Sequence, residues 1–536
     1  MASSKTTGHW GSYVPRDTLK YIWYLLQKRD SSIPPLQSVL DVVDTLPGFK
    51  PPVDCHTPDG IPFTTLSVTH QLRQFMSTPS KAQRLTRYPR KNTDNIIREI
   101  FDADHWATNA QYHTPMVSVE GEHYYVKDFI YVQAQHGEIK LGRIIRFYLK
   151  VHEKTSTLMC EIRVCKLHGN KVCFMGALKA AVPVDKILHH FDGEISESTV
   201  GWIVNGNDSP QQMTLEVCKQ LAEPNPIKEH AHGRQVVTIP IMLFSDDFGG
   251  NLTKKWNKMG VWTCQVAGIS KDDTAEILFL AASNQVSALS LASPIINELK
   301  QLETTGAIMY DASKEEEVLV LAPLLCILAD NDRHAEIVNH IGASASLYCR
   351  LCDIHRSNGH KEGNPRTRET TERQMQDVRQ ITNERLKREA RTASGVTDKE
   401  NPLFELQTFK ANEAAPLERL HSLLLGPCKS ITKVVMDELT NAEKATIKAK
   451  LKSFDWSAFG GESLGDVTTK SNTFFGRDFR LWLQVAPFVL LEHLDDNQRH
   501  LWTSHTVDVL YDKYKFNTPL VSDGRVVVSD RRVVFH

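Results

Sequence analysis

Two apolar runs in this chain end in carboxylates, and they constrain the fold more than any other feature. "VVTIPIMLFSDDF" spans residues 236–248 and "EEEVLVLAPLLCILADND" spans 315–332. Short runs rich in Val, Ile and Leu, closed by polar residues, read as buried strands. A buried strand that delivers an acid holds a charge in a rigid frame at the rim of a sheet. Asp246 or Asp247 closes the first run, and Asp330 or Asp332 the second. If the two strands are neighbours, their carboxylates come together and repel, unless a cation lies between them. Mg²⁺ or Mn²⁺, which take oxygen ligands, are the natural occupants. Two such ions about 4 Å apart can activate an oxygen nucleophile and stabilise the leaving oxygen in phosphodiester chemistry. The same acids, taken alone, also make N-caps and turns.

The flanking sequence indicates a multidomain α+β or α/β chain. Residues 1–113 read as a helical N-terminal region. "RDTLKYIWYLLQKRDSS" repeats its apolar residues at helical spacing, and the pattern continues from residue 69, broken by Pro79 and Pro89. This region gathers Arg84, Arg87, Arg90 and Lys91, which make either a solvated face or a DNA-contacting patch. Residues 114–235 change to β-branched and aromatic runs split by a Gly-containing turn, a small β-barrel or sandwich. There "YYVKDFIYV" and "LGRIIRFY" resemble the opening strands of a bromo-adjacent homology (BAH) module, which implies a chromatin partner. Residues 236–356 alternate strands and helices, and 357–414 are a charged insert or linker. Residues 415–515 are amphipathic helices, and 516–536 form an irregular tail with two β-prone pieces.

Ten cysteines in 536 residues, eight of them scattered, do not make a disulfide framework. The formal charge of −1 gives no overall vote for nucleic acid, so any DNA contact has to be a local patch. The N-terminus lacks a signal-peptide core, and no run approaches the length of a membrane span. Cytosol or nucleus is the expected location. The markers of P-loops, serine hydrolases and zincin proteases are missing from the sequence.

One close pair of cysteines stands out. "ASLYCRLCDIHRSNGH" puts Cys349, Cys352, His355 and His360 within twelve residues, with His334 and His340 just upstream. A C-x2-C turn presents two thiolates to one side of a soft ion, and Zn²⁺ takes S and N donors. The second half of the site is atypical, because zinc modules usually separate their ligand pairs by a longer loop. The alternative is two cysteines at an element end with histidines on the surface. The surroundings do not resemble those of a redox C-x2-C motif.

Four segments occur in order: "SDDFGGNLTKKWNKMGVW", "LLCILADNDRHAEIVNHIGASASLYCRLC", "LERLHSLLLGPCKSITK" and "FGRDFRLWLQVAPFVLLEHL". Together they resemble Plavaka-type DNA transposases, in the broad CACTA-like and Kyakuja–Dileera–Zisupton group found largely in fungi. The likeness covers roughly residues 236–515. It implies an RNase H-like core with a helical insertion, a DDE set of acids, Mg²⁺ or Mn²⁺, DNA as partner and a nuclear location, with a homo-oligomer to be considered. It assigns the first acid to Asp246, with Asp247 as alternative. It assigns the second to Asp330, which stands before Asn331, in preference to Asp332. Cys352-Asp353-Ile354-His355 matches the family's C-x2-H signature and favours a structural Zn²⁺ on Cys349, Cys352 and His355, with His360 the weakest ligand. Lys254, Lys255 and Lys258 flank Trp256–Asn257, a family-like motif, and are candidates for phosphate contact. His421 stands near the core by family position, though it also reads as a satisfied histidine at a helix edge. Arg477 and Asp478 read as an ion pair at a helix start. The third acid is not found: Glu492 reads as part of a solvated helix face, and the chain ends soon after. Two readings follow, a strand-transfer enzyme with an incomplete acidic set, or an inactive DNA- or chromatin-binding relic.

Overall fold

The computed structural model describes residues 52–92, 99–152, 155–203, 211–249, 258–270, 277–358, 363–457 and 462–494, with a few isolated residues beyond. The helix expected at 16–32 and the motif Lys254–Asn257 lie outside them, as does His360. The chain divides into two compact units. Met1–Asn95, Ile100–Ile327 and Lys399–Ala414 make the first; Ile96–Glu99, Leu328–Asp398 and Ala415–His536 make the second.

The first unit opens with strands β1 (Val53–His56) and β2 (Pro62–Thr65), helix α1 (Val68–Met76) and strand β3 (Arg90–Asn92). The region read as helical therefore also contributes strands. Ser67 caps α1 by accepting the His70 N–H at 3.1 Å, and α1 buries Val68, Leu72, Phe75 and Met76, a helical stripe. Strands β4 (Met116–Val119) and β5 (Glu122–Tyr125) form a hairpin.

An extended sheet follows, built from β6 (Phe129–Gln133), β7 (Ile139–His152), β8 (Thr155–His168), β9 (Lys171–Pro183), β10 (Ile187–His190), β11 (Val200–Ile203) and β12 (Gln211–Gln212). Its order is β10-β6-β7-β8-β9-β11-β12, with β3 added beside β7. Alternation buries both faces: Ile130 and Val132 join one apolar cluster, Phe129 and Tyr131 the other. Register shifts at Ile144/Arg146 and Arg163/Cys165 bend the long strands. The barrel expected for 114–235 is not formed: among the described residues the sheet stays open, with β10 and β12 at its ends.

The last part of this unit contains β13 (Gln235–Thr238), β14 (Ile241–Gly249), β15 (Lys258–Val266), β16 (Leu278–Ser283), α2 (Ala288–Thr304), β17 (Ala307–Asp311), β18 (Glu316–Leu321) and β19 (Leu324–Leu328). Both apolar runs are broken by prolines and split into paired pieces: β13 lies parallel to β18, while β14 and β19 belong to another sheet. That sheet runs β1-β2-β16-β15-β14-β19. β14, β15 and β16 form an antiparallel meander, and β19 adds on the other side of β14. Ser287 caps α2, which buries Leu291, Ile295, Ile296, Leu299 and Leu302. Near its end, Glu303 accepts the backbone N–H groups of Gln407 and Thr408 and the Thr408 hydroxyl, fastening the returning segment.

The second unit contains α3 (Asn331–Ile337), α4 (Arg368–Gln380) and α5 (Glu384–Ser394). Part of the stretch read as a charged insert or linker is thus a helix pair broken at 381–383, with Met375 and Val378 buried. A π-helix (Leu420–Cys428) runs into α6 (Lys429–Glu438), followed by α7 (Asn441–Ser453) and α8 (Gly476–Leu490). Trp482, Phe479, Ile447, Met436 and Cys428 share one apolar core there. In the tail, Val521–Ser522 pairs with Arg525–Val526.

Candidate functional site

The first acid lies within a strand, not at its end. β14 continues to Gly249 because its hairpin partner β15 stays in register, Asp246 opposite Val261 and Asp247 opposite Gly260. Alternation puts Asp247 on the face of buried Leu243 and Ser245, and Asp246 on the face of Met242. The two carboxylates therefore differ. Lys258 forms an ion pair with Asp247 at 2.8 Å, and this lysine, a candidate for phosphate, is already engaged. Asp246 accepts the Asp247 N–H at 2.7 Å and has no ion pair among the described residues.

The basic residues 84–91 separate into two kinds. Arg84 and Lys91 are exposed. Arg87 turns inward, 2.7 Å from the fully buried Asp311, and donates to the Ser313 hydroxyl at 2.6 Å. Arg90 lies 4.4 Å over the Phe101 ring. These two side chains make contacts within the unit, whereas Arg84 and Lys91 are the exposed members of the group.

In the second unit Asp330 does what the bland reading of a strand-end acid allows. It is the N-cap of α3, accepting the Arg333 N–H at 2.7 Å. Its neighbour Asp332 is exposed in the first turn.

The stretch 345–358 is organised by an arginine that spacing arguments pass over. Arg366 is buried, and its Nε donates to the carbonyls of Cys349 at 3.0 Å and Cys352 at 3.1 Å. Its Nη2 donates to Leu347 O at 3.1 Å and Ser394 O at 3.0 Å. The two thiols meet inside this brace. Accepting the Cys352 thiol's hydrogen bond pulls Cys349 down to about 6, helped by the N–H groups of Leu351 and Cys352, and the same bond pushes Cys352 up. His355 is exposed and bonded through Nδ1 to the Ser357 hydroxyl at 2.7 Å. Among the described residues no three His, Cys, Asp or Glu side chains are grouped to hold a metal. The turn offers two sulfur donors, and the expected third ligand, His355, is engaged elsewhere.

His340 is committed as well. Its Nδ1 accepts the Gly342 N–H at 3.0 Å, and its Nε2 faces Leu347 O at 3.0 Å. Gly395, which ends α5 at φ +77°, leaves room for that ring; a Cβ there would come within 2.6 Å of Nε2. Burial first, and then the Arg366 charge, push His340 down to about 4. A folded-state value below the ordinary 6.5 means that the stabilisation is complete above about 6.5 and is lost as pH falls toward 4. The shift corresponds to about 3 kcal/mol at about 1.4 kcal/mol per unit. Urea unfolding at pH 7.0, 5.5 and 4.0 should show this loss, and H340Q should flatten it. An equal pH dependence in the variant would rule the assignment out.

Two further groups escaped the sequence reading. Arg350, inside the C-x2-C turn, is buried and donates from Nη2 to His334 Nδ1 at 3.2 Å and to Pro416 O at 3.1 Å. Glu418 accepts from the His421 backbone N–H at 2.6 Å and lies 2.8 Å from its Nδ1. His421 is therefore a satisfied histidine at a helix start. The spacing Glu-x2-His on a helical segment was the legible signal for this pair. At the start of α8, Asp478 accepts the Phe475 N–H at 2.9 Å and lies 3.9 Å from Arg477, a helix-start arrangement. Glu492 is exposed and ion-paired with Lys450.

No protein-family model matches the chain. No curated protein matches it either. Among solved structures, the crystal structure of the yeast Rsc2 BAH domain is similar over 14% of this chain and 37% of that one, at 16% identity and a TM-score of 0.12. A likeness of that extent assigns neither fold nor function. No helix of the described residues is long and apolar enough to cross a membrane.

Proposed function

We propose that this chain is related to Plavaka-type DNA transposases and that its chemistry is metal-dependent cleavage and transfer of DNA strands. The observation that carries the reading is the sheet order. β19 adds beside β14, so a strand bearing Asp246 and a strand followed two residues later by Asp330 are neighbours. This strand order supports an RNase H-like core, in which the first and second acids accompany neighbouring central strands. The donor chemistry fits Mg²⁺ or Mn²⁺: Asp246 and Asp330 offer carboxylate oxygens, which hard cations prefer. Bound there, the ions would activate an oxygen nucleophile and stabilise the leaving oxygen. Asp246 is preferred to Asp247, whose charge Lys258 already balances. The outward Arg84 and Lys91 would take DNA phosphates in the first unit. A nuclear location, chromatin contact through residues 114–235, a structural Zn²⁺ at Cys349 and Cys352, and self-association during strand transfer belong to the same proposal.

The test uses the full chain with supercoiled plasmid and Mg²⁺ or Mn²⁺. Nicking is expected, and D246N and D330N should each lower it by about 10²-fold or more while DNA binding persists. If the chain binds DNA but never nicks it, the inactive DNA-binding relic is the correct reading. If it neither binds nor nicks DNA, the transposase relationship fails as a functional account.

A further inference from the structure

We propose that a pocket in the second unit, between residues 344–346 and 355–357, holds a backbone phosphate of a DNA strand. The inference rests on the DNA reading above and adds a contact that Arg84 and Lys91 do not supply, since both belong to the first unit.

The pocket has a volume of about 340 Å³ and is lined by Ser344, Ala345, Ser346, His355, Arg356 and Ser357. Backbone bonds hold its two walls together. The Arg356 N–H donates to Ser346 O at 2.9 Å, and the Ser346 N–H donates to Thr392 O at 2.8 Å. Buried Ala345 and Ile354 anchor one wall each in the interior of the unit. Ser344, His355, Arg356 and Ser357 are exposed, so the pocket opens to solvent.

The donors of this pocket fit an oxyanion. The Ser357 N–H donates to His355 Nδ1 at 3.1 Å, which makes Nδ1 the acceptor and leaves the proton of the neutral ring on Nε2. Neither that Nε2 nor the Ser346 hydroxyl has a hydrogen bond among the described residues. The Ser344 hydroxyl, by contrast, is spent on Ile341 O at 3.2 Å. Arg356 adds a guanidinium, and the lining contains no carboxylate. Asp353, the acid nearest in sequence, is engaged by Asn364 through both of its oxygens. A fixed positive charge beside neutral N–H and O–H donors, with no acid opposite, suits an anion. Arg and Ser are among the side chains that meet phosphate oxygens along a nucleic-acid backbone.

Size and lining select the source of the phosphate. Ligand cavities run from about 300 to 1,000 Å³. This one lies at the small end, with room for a phosphate and its adjoining sugar. No aromatic ring lines it, so a base has nothing to stack on. A strand passing over the open mouth needs only its phosphate held, whereas a free nucleotide would leave its base unbound. Readers of phosphorylated peptides gather several arginines, and a single one lines this pocket. The contact positions DNA without reading its sequence.

The test is fluorescence anisotropy of a short labelled duplex with the full chain, over a series of KCl concentrations. Arg356→Ala should weaken binding by about tenfold at low salt and lower the slope of log K against log salt by about 1. Arg356→Lys should restore the slope, because it keeps the charge. Ser346→Ala removes a neutral donor and should weaken binding by about fivefold at unchanged slope. Arg373→Ala, which deletes an exposed charge on α4, should leave the slope as in wild type. An equal drop in slope for Arg373→Ala and Arg356→Ala would mean that only net charge is felt, and would overturn the site. If Arg356→Ala binds DNA with wild-type affinity and slope, the pocket is not a phosphate contact, while the DNA reading stands. If wild type binds no DNA at low salt, that reading falls and takes this inference with it. Inorganic phosphate and a phosphoserine peptide are titrated separately by calorimetry. Binding of either that Arg356→Ala abolishes, with DNA affinity unchanged, overturns the assignment to DNA. Should Arg356→Ala fail to fold, Ser346→Ala decides: wild-type affinity for DNA in that variant overturns the proposal.

Discussion

Arg366→Ala is expected to destabilise the second unit by about 3–5 kcal/mol, the largest loss from any change near the cysteine turn. One buried guanidinium satisfies the carbonyls of Leu347, Cys349, Cys352 and Ser394, and its Nη1 also reaches Gln374 Oε1 at 3.3 Å. Removing it leaves the part-buried carbonyls of Cys349, Cys352 and Ser394 without this donor, while Leu347 O keeps His340 Nε2, and each orphaned group costs about 1–3 kcal/mol before relaxation. Water entering the cavity recovers part of that cost, so the contributions do not simply add. Arg366→Lys should recover less than half, because an ammonium cannot present a planar fork to carbonyls on opposite sides. Urea unfolding followed by helical circular dichroism is the measurement. A loss below about 1 kcal/mol for the alanine variant would show that Arg366 does not hold the turn.

This brace explains why the cysteine–histidine stretch was the hardest part to read. Its donor atoms are visible in sequence, and they suggest a metal. The residue that shapes the turn lies fourteen positions after Cys352 and carries no such signature. Arg350 was just as visible, but its partners Pro416 and His334 come from distant segments that spacing does not relate. The strands were easier, because continuous Val-Ile-Leu runs leave few alternatives, and β14 and β19 both lie inside the quoted runs. Asp330 follows β19 as the pattern indicates. Asp246 sits within β14 because hairpin pairing with β15 outlasts the apolar run, and pairing is a tertiary property. The charged stretch 357–414 concealed buried Met375, Val378, Leu403, Leu406 and Phe409, since scattered apolar residues among many polar ones set no period.

The second large effect is expected at Trp262. This side chain is fully buried on β15, the strand between β14 and β16, and its Nε1 donates to Ala288 O at 2.8 Å at the start of α2. Trp262→Ala removes the bulk that lies under the helix and should cost about 3–5 kcal/mol. Trp262→Phe keeps most of the ring and loses the N–H donor, so about 1–2 kcal/mol is expected. The ratio tells packing from hydrogen bonding: near-equal losses for the two variants would mean that the bond to Ala288 dominates and that the cavity argument is wrong. The consequence reaches the acids, because β15 fixes the register that sets Asp246 opposite Val261 and Asp247 opposite Gly260. A Trp262→Phe chain that stays folded should keep its Mn²⁺ response. A Trp262→Ala chain should lose nicking in step with the fraction unfolded, and a loss of nicking at full folding would instead place Trp262 in the positioning of Asp246.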